Sequence, residues 1–424
     1  MNGLKSTSRR AFLKSAGTAG AMAAFTGHAA AQSSIMEILQ SPERGNWDDQ
    51  FDAAGQRVSR VTNTRMPVLS QETAFHVEGA IERYRQIVAS GGWPRVNANK
   101  ALKVGVQDNA VRELRRRLVV SGDLPRNAGD SATFDTFLDG ALKRYQARHG
   151  MTADGVVGNY TLAALNVSAP VRLGQLETNL VRLRSMSGYL GDRYVMVNIP
   201  AAQIEAVENG RVEQRHKAIV GKTDRQTPIL SSRIHEVILN PYWTAPKSII
   251  RKDIIPLMRE DPTYLTRNKI RLFDQQGNEV PPEMVDWSTE EAVDLRFRQD
   301  PGKINAMSST KINFHNPHAV YMHDTPQQSL FGQFMRFESS GCVRVHNIQE
   351  LTLWLLESSP GWDRARVEQV VASGVNTEVP LEVQIPVYFV YVSAWATDGG
   401  VVHFRDDIYK RDGVEELQLT STTL

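Results

Sequence analysis

Cysteine is almost missing from this chain, with Cys342 alone among 424 residues. No disulfide can close within it, so folding must rest on an apolar core, for which a 41% hydrophobic content suffices. Long apolar runs are missing as well. Past the N-terminal segment nothing approaches the ~18 consecutive apolar residues that span a bilayer, so no stable membrane anchor is expected after signal cleavage. Nor is one charge in excess: 49 Lys and Arg face 47 Asp and Glu. No dense basic patch appears, which argues against nucleic acid as a partner. His-Glu-x-x-His and Gly-x-Ser-x-Gly are both absent, which deprives a zinc hydrolase of its ligand spacing and a serine hydrolase of its elbow. Neither a metal nor a cofactor is expected.

What is present begins with an export leader. Residues 1–31 hold Lys5, Arg9, Arg10 and Lys14 and no acid. Ser8-Arg9-Arg10-Ala11-Phe12-Leu13-Lys14 matches the twin-arginine export signal, followed by a mildly apolar stretch and the small-residue cleavage site Ala29-Ala30-Ala31. The expected compartment is therefore the periplasm. Without those four basic residues, 45 face 47 acids, so the mature chain is close to neutral.

Beyond the leader, residues 32–100 read as a mobile lead-in and a helical scaffold. Its helix carries Val77, Ile81, Tyr84 and Val88 at helical spacing and stops at Gly91-Gly92-Trp93-Pro94. Residues 101–167 form a second unit. One helix presents Val111, Leu114 and Leu118, and another presents Leu138, Leu142 and Tyr145. The tight turn Asp154-Gly155-Val156-Val157-Gly158 follows, then a short helix with Leu162 and Leu165. A linker helix is expected over 168–193. From Tyr194 the texture turns to strands, with Asn209-Gly210 as a hairpin signal, and a strand-rich domain is expected over 194–375. It is interrupted at about 246–309 by a long, charged, partly helical insertion, the size of a functional lid. A β segment and tail, 376–424, closes the chain.

A lone cysteine in an exported chain is a reactive thiol, an intermolecular bond or a small buried hydrophobe. Its neighbours choose between these. Cys342 lies in Ser339-Ser340-Gly341-Cys342-Val343-Arg344, downstream of Tyr321-Met322-His323-Asp324-Thr325-Pro326. In a strand over 319–324, Ala319, Tyr321 and His323 share one face and Val320, Met322 and Asp324 the other. Asn347-Ile348-Gln349-Glu350 reads as a capping box, so Cys342 falls in a turn ahead of a helix N-terminus. Positive charge there and at Arg344 should favour the thiolate. Gly341 lets a substrate backbone come close, and free amides of the turn could form an oxyanion hole. A base, a thiol and an anion-binding turn are the components of acyl transfer. His315, His318 and His346 lie nearby in sequence, but without metal-ligand spacing.

Two families match these residues. Val111, Leu114, Leu118, Ala141–Gln146, Asp154–Gly158 and Thr161–Asn166 resemble the three-helix peptidoglycan-binding module of bacterial wall enzymes. His323 followed by Ser339-x-Gly341-Cys342-x-Arg344 resembles the YkuD-type L,D-transpeptidase catalytic domain, specifically its long periplasmic YcbB-type branch. Val220-Gly221-Lys222 with Thr227-Pro228, and Asn240-Pro241-Tyr242-Trp243, add to the likeness. Many members carry histidine before the glycine, where Ser340 stands here. The resemblance implies an α+β multidomain chain: a mostly β catalytic domain with a helical lid insertion, a small three-helix peptidoglycan-binding module and a helical scaffold. It implies Cys342 as nucleophile and His323 as base. Gly341, Ser340, Arg344 and Tyr321 would serve the oxyanion or substrate, and Tyr242 and Trp243 the lid. Partners would be peptidoglycan stem peptides and glycan, with acylation by β-lactams of the carbapenem class. Crosslinking through a thioester is the implied reaction. A hydrolase on the same site and a non-catalytic wall-binding protein are the alternatives.

Overall fold

In the computed structural model, which describes residues 64–413, the first helix begins where the sequence supplies a cap. The leader over 1–31 and most of the expected lead-in lie outside the described residues. The Ser70 side chain accepts the Thr73 amide and opens α1 (Gln71–Ala89), which ends at Gly91 and Gly92, both at positive φ. Its buried stripe of Val77, Ile81 and Tyr84 shares one cluster with Leu176 and Leu183, which come from a later helix running Ala169–Met186.

Between these two lies the helical module. Asp108 caps α2 (Asn109–Val120) and Asp135 caps α3 (Thr136–Arg148); α4 (Asn159–Asn166) follows, and the Ala169–Met186 helix is then α5. Val111, Leu114, Leu118, Leu138, Leu142, Tyr145 and Leu165 are fully enclosed in a core of their own. The Asp154 turn is built by its side chain, which accepts the Val156 amide at 2.9 Å and the Gln146 amide group at 2.7 Å.

The strands are β1 (Arg193–Asn198), β2 (Gln203–Glu208), β3 (Arg211–Gly221), β4 (Leu230–Leu239), β9 (Thr310–Phe314), β10 (Met322–His323), β11 (Phe337–Ser339), β12 (Val343–Val345) and β13 (Thr377–Val390), with β5 to β8 in the insertion. Their order is β11-β3-β12-β10-β9-β4-β13-β1-β2, and β2 also pairs with β3. The sheet therefore closes on itself as a barrel. Closure is possible because β3 changes partner along its length: residues 211–217 pair with β2, and Ala218 and Ile219 pair with β12. Asn209 and Gly210, both at positive φ, make the β2–β3 turn. In β1, Val195 and Val197 enter the barrel core while Tyr194 and Met196 pack outward under α1 and α5. Its alternation separates two apolar cores rather than core from water. Helices α6 (Ile348–Leu356) and α7 (Arg364–Ser373) cover the barrel, with Leu351, Leu355 and Val367 in its core.

Several expectations are corrected. The boundary at 375/376 has no counterpart in the sheet, because β13 lies between β4 and β1 and runs parallel to β1. The insertion is not simply helical. Four short helical turns over 247–267 pack with a four-stranded sheet of β5 (Trp243–Thr244), β8 (Arg296–Gln299), β6 (Ile270–Phe273) and β7 (Glu279–Val280) around a separate core. Ala319 takes a left-handed φ of 51°, so no regular strand runs through 319–321 and β10 is two residues long. Asn347 is left-handed too and makes no side-chain cap, and Glu350 pairs with Arg364 instead of closing a capping box.

Where β3 ends, Gly221 meets the 225–227 backbone with no room for a side chain. A Cβ there would lie 2.1 Å from the Arg225 carbonyl oxygen and 2.6 Å from the Thr227 nitrogen. Gly221→Ala should therefore displace that turn and cost about 1–3 kcal/mol or more, read as a lowered melting temperature together with slowed alkylation of Cys342. Parental values for both would refute the close packing as a constraint.

Candidate active site

Parallel pairing of β10 with β12 sets Met322 against Val343 and His323 against Arg344. One step earlier in the same register, Tyr321 faces Cys342. Cys342 and His323 are therefore diagonal neighbours on adjacent strands, with Cβ atoms roughly 7–8 Å apart in such a pair. A thiol and an imidazole can span that gap. Tyr321, opposite Cys342, brings its ring centroid to 5.4 Å from that of His323. Its amide and its phenol both donate to the Cys342 sulfur, and Trp243 hydrogen-bonds to the phenol.

The tautomer of His323 follows from its partner. Its Nδ1 lies 2.5 Å from the Asp324 carbonyl oxygen, which can only accept, so Nδ1 carries the proton and Nε2 presents a lone pair. Burial pushes the His323 pKa down to about 3, helped by the charges of Arg344 and Lys311. Both cations are in register with it, Arg344 on β12 and Lys311 on β9. The imidazole is therefore neutral across the physiological range.

Cys342 departs from expectation. Burial raises its thiol above the ordinary value, against the lowering effect of the two Tyr321 donors, Lys311 and Arg344. The helix N-terminus does not help it, because β12 intervenes and α6 starts only at Ile348. The resting pair is thus a neutral thiol beside a neutral imidazole, in surroundings that stabilise the thiolate once it forms.

The turn that carries Cys342 is held from three sides. Gly341 has a φ of 113°, and its carbonyl accepts from the Thr227 hydroxyl at 2.8 Å. Its amide donates to the Ser339 hydroxyl at 3.2 Å, so that amide is not available to an oxyanion. Ser340 is exposed and accepts from Arg225, whose guanidinium also grips Asp253 of the insertion through bonds of 2.6 and 2.9 Å. Arg344 donates to Gln327 at 2.8 Å.

Other expected residues divide. Trp243 reaches the site through Tyr321, whereas the exposed Tyr242 ring lies under Arg298 on the insertion's own sheet. The Asp324 carboxylate turns away from His323 and takes Ser309, Thr325 and Gln328 as donors. His315 stacks on His235, His346 packs against Phe331, and the exposed His318 donates its amide to Asn316, so these three do not converge on the thiol. Sequence reasoning missed Lys311, Arg225 and Asp253. No local signal marked the first, because a lysine at 311 fits the regular alternation of the Thr310–Phe314 strand, and the other two are joined only by long-range contact.

Residues 192–372 match the family model for the L,D-transpeptidase catalytic domain, YkuD, and residues 107–165 match the "Putative peptidoglycan binding domain" model. A "Putative L,D-transpeptidase" of Haemophilus influenzae is 36% identical over 239 residues, which cover 56% of this chain and 48% of that protein. An N-acetylmuramoyl-L-alanine amidase of Mycobacterium tuberculosis is 36% identical over 89 residues, 19% of this chain and 22% of the amidase. The chain thus spans less than half the length of either relative. Among solved structures, an L,D-transpeptidase from Stackebrandtia nassauensis is 12% identical with a TM-score of 0.24, covering 70% of this chain and 96% of that one.

The two Tyr321 donors make the sulfur testable. Tyr321→Phe removes the phenol donor, so the thiol pKa should rise further. Alkylation by iodoacetamide, followed from pH 7 to 10, should slow near pH 8 and climb at higher pH than in the parent. An unchanged profile would mean that the phenol does not serve the sulfur.

Proposed function

We propose that this chain, which belongs through residues 192–372 to the YkuD family of L,D-transpeptidase catalytic domains, crosslinks peptidoglycan stem peptides through a thioester on Cys342. The observation that carries the reading is the neutral His323, its Nε2 lone pair fixed by the Asp324 carbonyl, set diagonally across from a half-buried thiol. In this mechanism Nε2 takes the thiol proton as the sulfur attacks the diaminopimelate carbonyl of a donor tetrapeptide. The C–S bond forms, the amide C–N bond breaks, and D-alanine leaves with the proton from His323. The amine of a second stem then attacks the thioester, gives its proton to His323 and releases the thiol. The product is a 3→3 crosslink.

The electrostatics support each half of that cycle. Lys311, Arg344 and the Tyr321 donors stabilise the sulfur anion as it develops. The same two cations make an imidazolium at 323 a strong acid, which favours prompt delivery of the proton to the leaving amine. Amine over water as acceptor is supported by the insertion, which approaches the thiol through Trp243 and the nucleophile turn through Asp253. Action in the periplasm, by way of the twin-arginine leader, and membership of the YcbB-type branch are parts of the same proposal. So is acylation by carbapenems, whose strained carbonyl offers the thiol an acyl group.

Cys342→Ser should abolish crosslinking and the mass increase on incubation with a carbapenem, and His323→Ala should slow acylation roughly 10²-fold or more. A histidine whose pKa is depressed to about 3 stays neutral on acidification until near that value. Acylation should therefore hold its rate from pH 7 to pH 5, where a histidine at the ordinary value of about 6.5 would already have lost most of it. An acid limb centred near that ordinary value would overturn the neutral resting pair. Crosslinked dimers in digested wall material, rather than trimmed tripeptides, would distinguish transfer to an amine from hydrolysis.

A further inference from the structure

A second basic feature lies away from the thiol, where the helical module meets the barrel. An open groove of about 560 Å³ runs between the 150–153 turn of the module, the 201–203 and 215–217 stretches of the barrel, and the 332–336 loop. Arg215, Lys217, Arg336 and Arg405 line it, with His216, and none of the lining residues is Asp or Glu. Arg215 is neutralised by Glu205. The other three cations have no carboxylate within salt-bridge distance among the described residues. Arg336 is held wholly by backbone carbonyls, those of Ala218, Gln333, Phe334, Ala201 and Ala202. Arg405 donates to the carbonyls of Arg148 and Phe404. Burial and repulsion from Arg336 lower its pKa to about 10. Lys217 is exposed, and its ammonium touches only the Phe331 carbonyl, at 3.4 Å.

The walls of this groove are firmly joined. Arg148 of the module donates to the Val402 carbonyl at 3.0 Å, Tyr160 bonds Asp406, and the Tyr160 and Phe334 rings meet at 4.5 Å. Gly150 is what admits Arg405, for a Cβ there would lie 2.5 Å from its Nε. Asp406 offsets Arg405 in part but stands beyond salt-bridge distance of it, and three cations without a paired carboxylate at a fixed junction call for an anionic ligand. Position narrows its class. Lys217 and Gly221 are four residues apart on β3, about 13 Å, and Gly221 abuts the turn carrying Thr227, which holds Gly341. An extended tetrapeptide covers a similar distance, about 14 Å.

We propose that this groove is a binding site for the carboxylates of a peptidoglycan stem peptide, an exosite that retains the wall beside the thiol. The inference rests on the wall-peptide reading above. The test uses the full chain with Cys342→Ala, so that bound peptide is not turned over. A soluble disaccharide-tetrapeptide and the same compound with its carboxyls amidated are titrated calorimetrically at low salt. The comparison chain adds Lys217→Glu and Gln333→Glu, both exposed and both facing the groove. In the Cys342→Ala parent, amidation should weaken binding about tenfold; in the groove variant the native and amidated ligands should bind alike. A penalty for amidation that survives in the groove variant, or is missing from the parent, overturns the exosite. With Cys342 restored, the groove variant should be acylated by a carbapenem at the parental rate. Failure of the parent itself to acylate would count against the proposed reaction and not against the groove.

Discussion

One strand carries more of this structure than any other. β3 gives its first half to β2 and its second half to β12, and that exchange closes the barrel. Along the way it presents Lys217 to the basic groove, and it ends at Gly221, where the missing side chain lets the 225–227 turn fold in close. Thr227 accepts the Gly221 amide and donates to the Gly341 carbonyl, while the Tyr409 phenol accepts the Thr227 amide and donates to the Gly221 carbonyl. The Cys342 turn is thus fastened to the barrel by hydrogen bonds that a single methyl group at 221 would displace. Precision at the thiol is inherited from barrel closure.

The same closure sets the electrostatics. β10 is central, with β9 on one side and β12 on the other, so His323 meets a cation from each neighbour. A buried imidazolium between two cations is strongly disfavoured, and so is a buried thiolate without donors. The two penalties move the two pKa values in opposite directions, and both hold the shared proton on sulfur. Keeping it on sulfur leaves both groups neutral, and moving it makes a thiolate that Lys311, Arg344 and Tyr321 stabilise beside an imidazolium that the two cations destabilise. In the proposed reaction the pair is uncharged at rest and its surroundings favour the sulfur only as it attacks, which is the condition for selective stabilisation of a transition state.

How much of this could be read from the sequence depended on the range of the interaction. The helices of the module announced themselves because Val111, Leu114 and Leu118 repeat at the helical period and Asp108 caps them locally. Cys342 and His323 stood out by residue type and neighbours, and the alternation of Tyr321 and His323 against Met322 predicted that the first two share a face. Failures came where a local pattern meets a distant partner. The left-handed turn at Ala319 has no apolar period to betray it. The Asn347-Ile348-Gln349-Glu350 box was overridden when Arg364 captured Glu350. Strands of two to four residues, as in the insertion, are too short to show a period at all. The state of the thiol was misjudged because the dominant influence, burial, belongs to the assembled barrel and not to the turn.

The insertion is coupled to the sulfur at two points, and the two are not equivalent. Asp253 reaches the Cys342 turn through Arg225, a half-exposed ion pair of modest strength that can break and re-form. Trp243 reaches the sulfur itself, through the Tyr321 phenol that donates to it. If the insertion withdraws, the first contact releases only a tether, but loss of the second frees the phenol to rotate and admits water to the thiol. A sulfur that has lost that donor holds its proton more tightly, and is least nucleophilic when the site stands open. In the proposed reaction, an insertion held over bound substrate would keep this donor chain intact and water away from the thioester together.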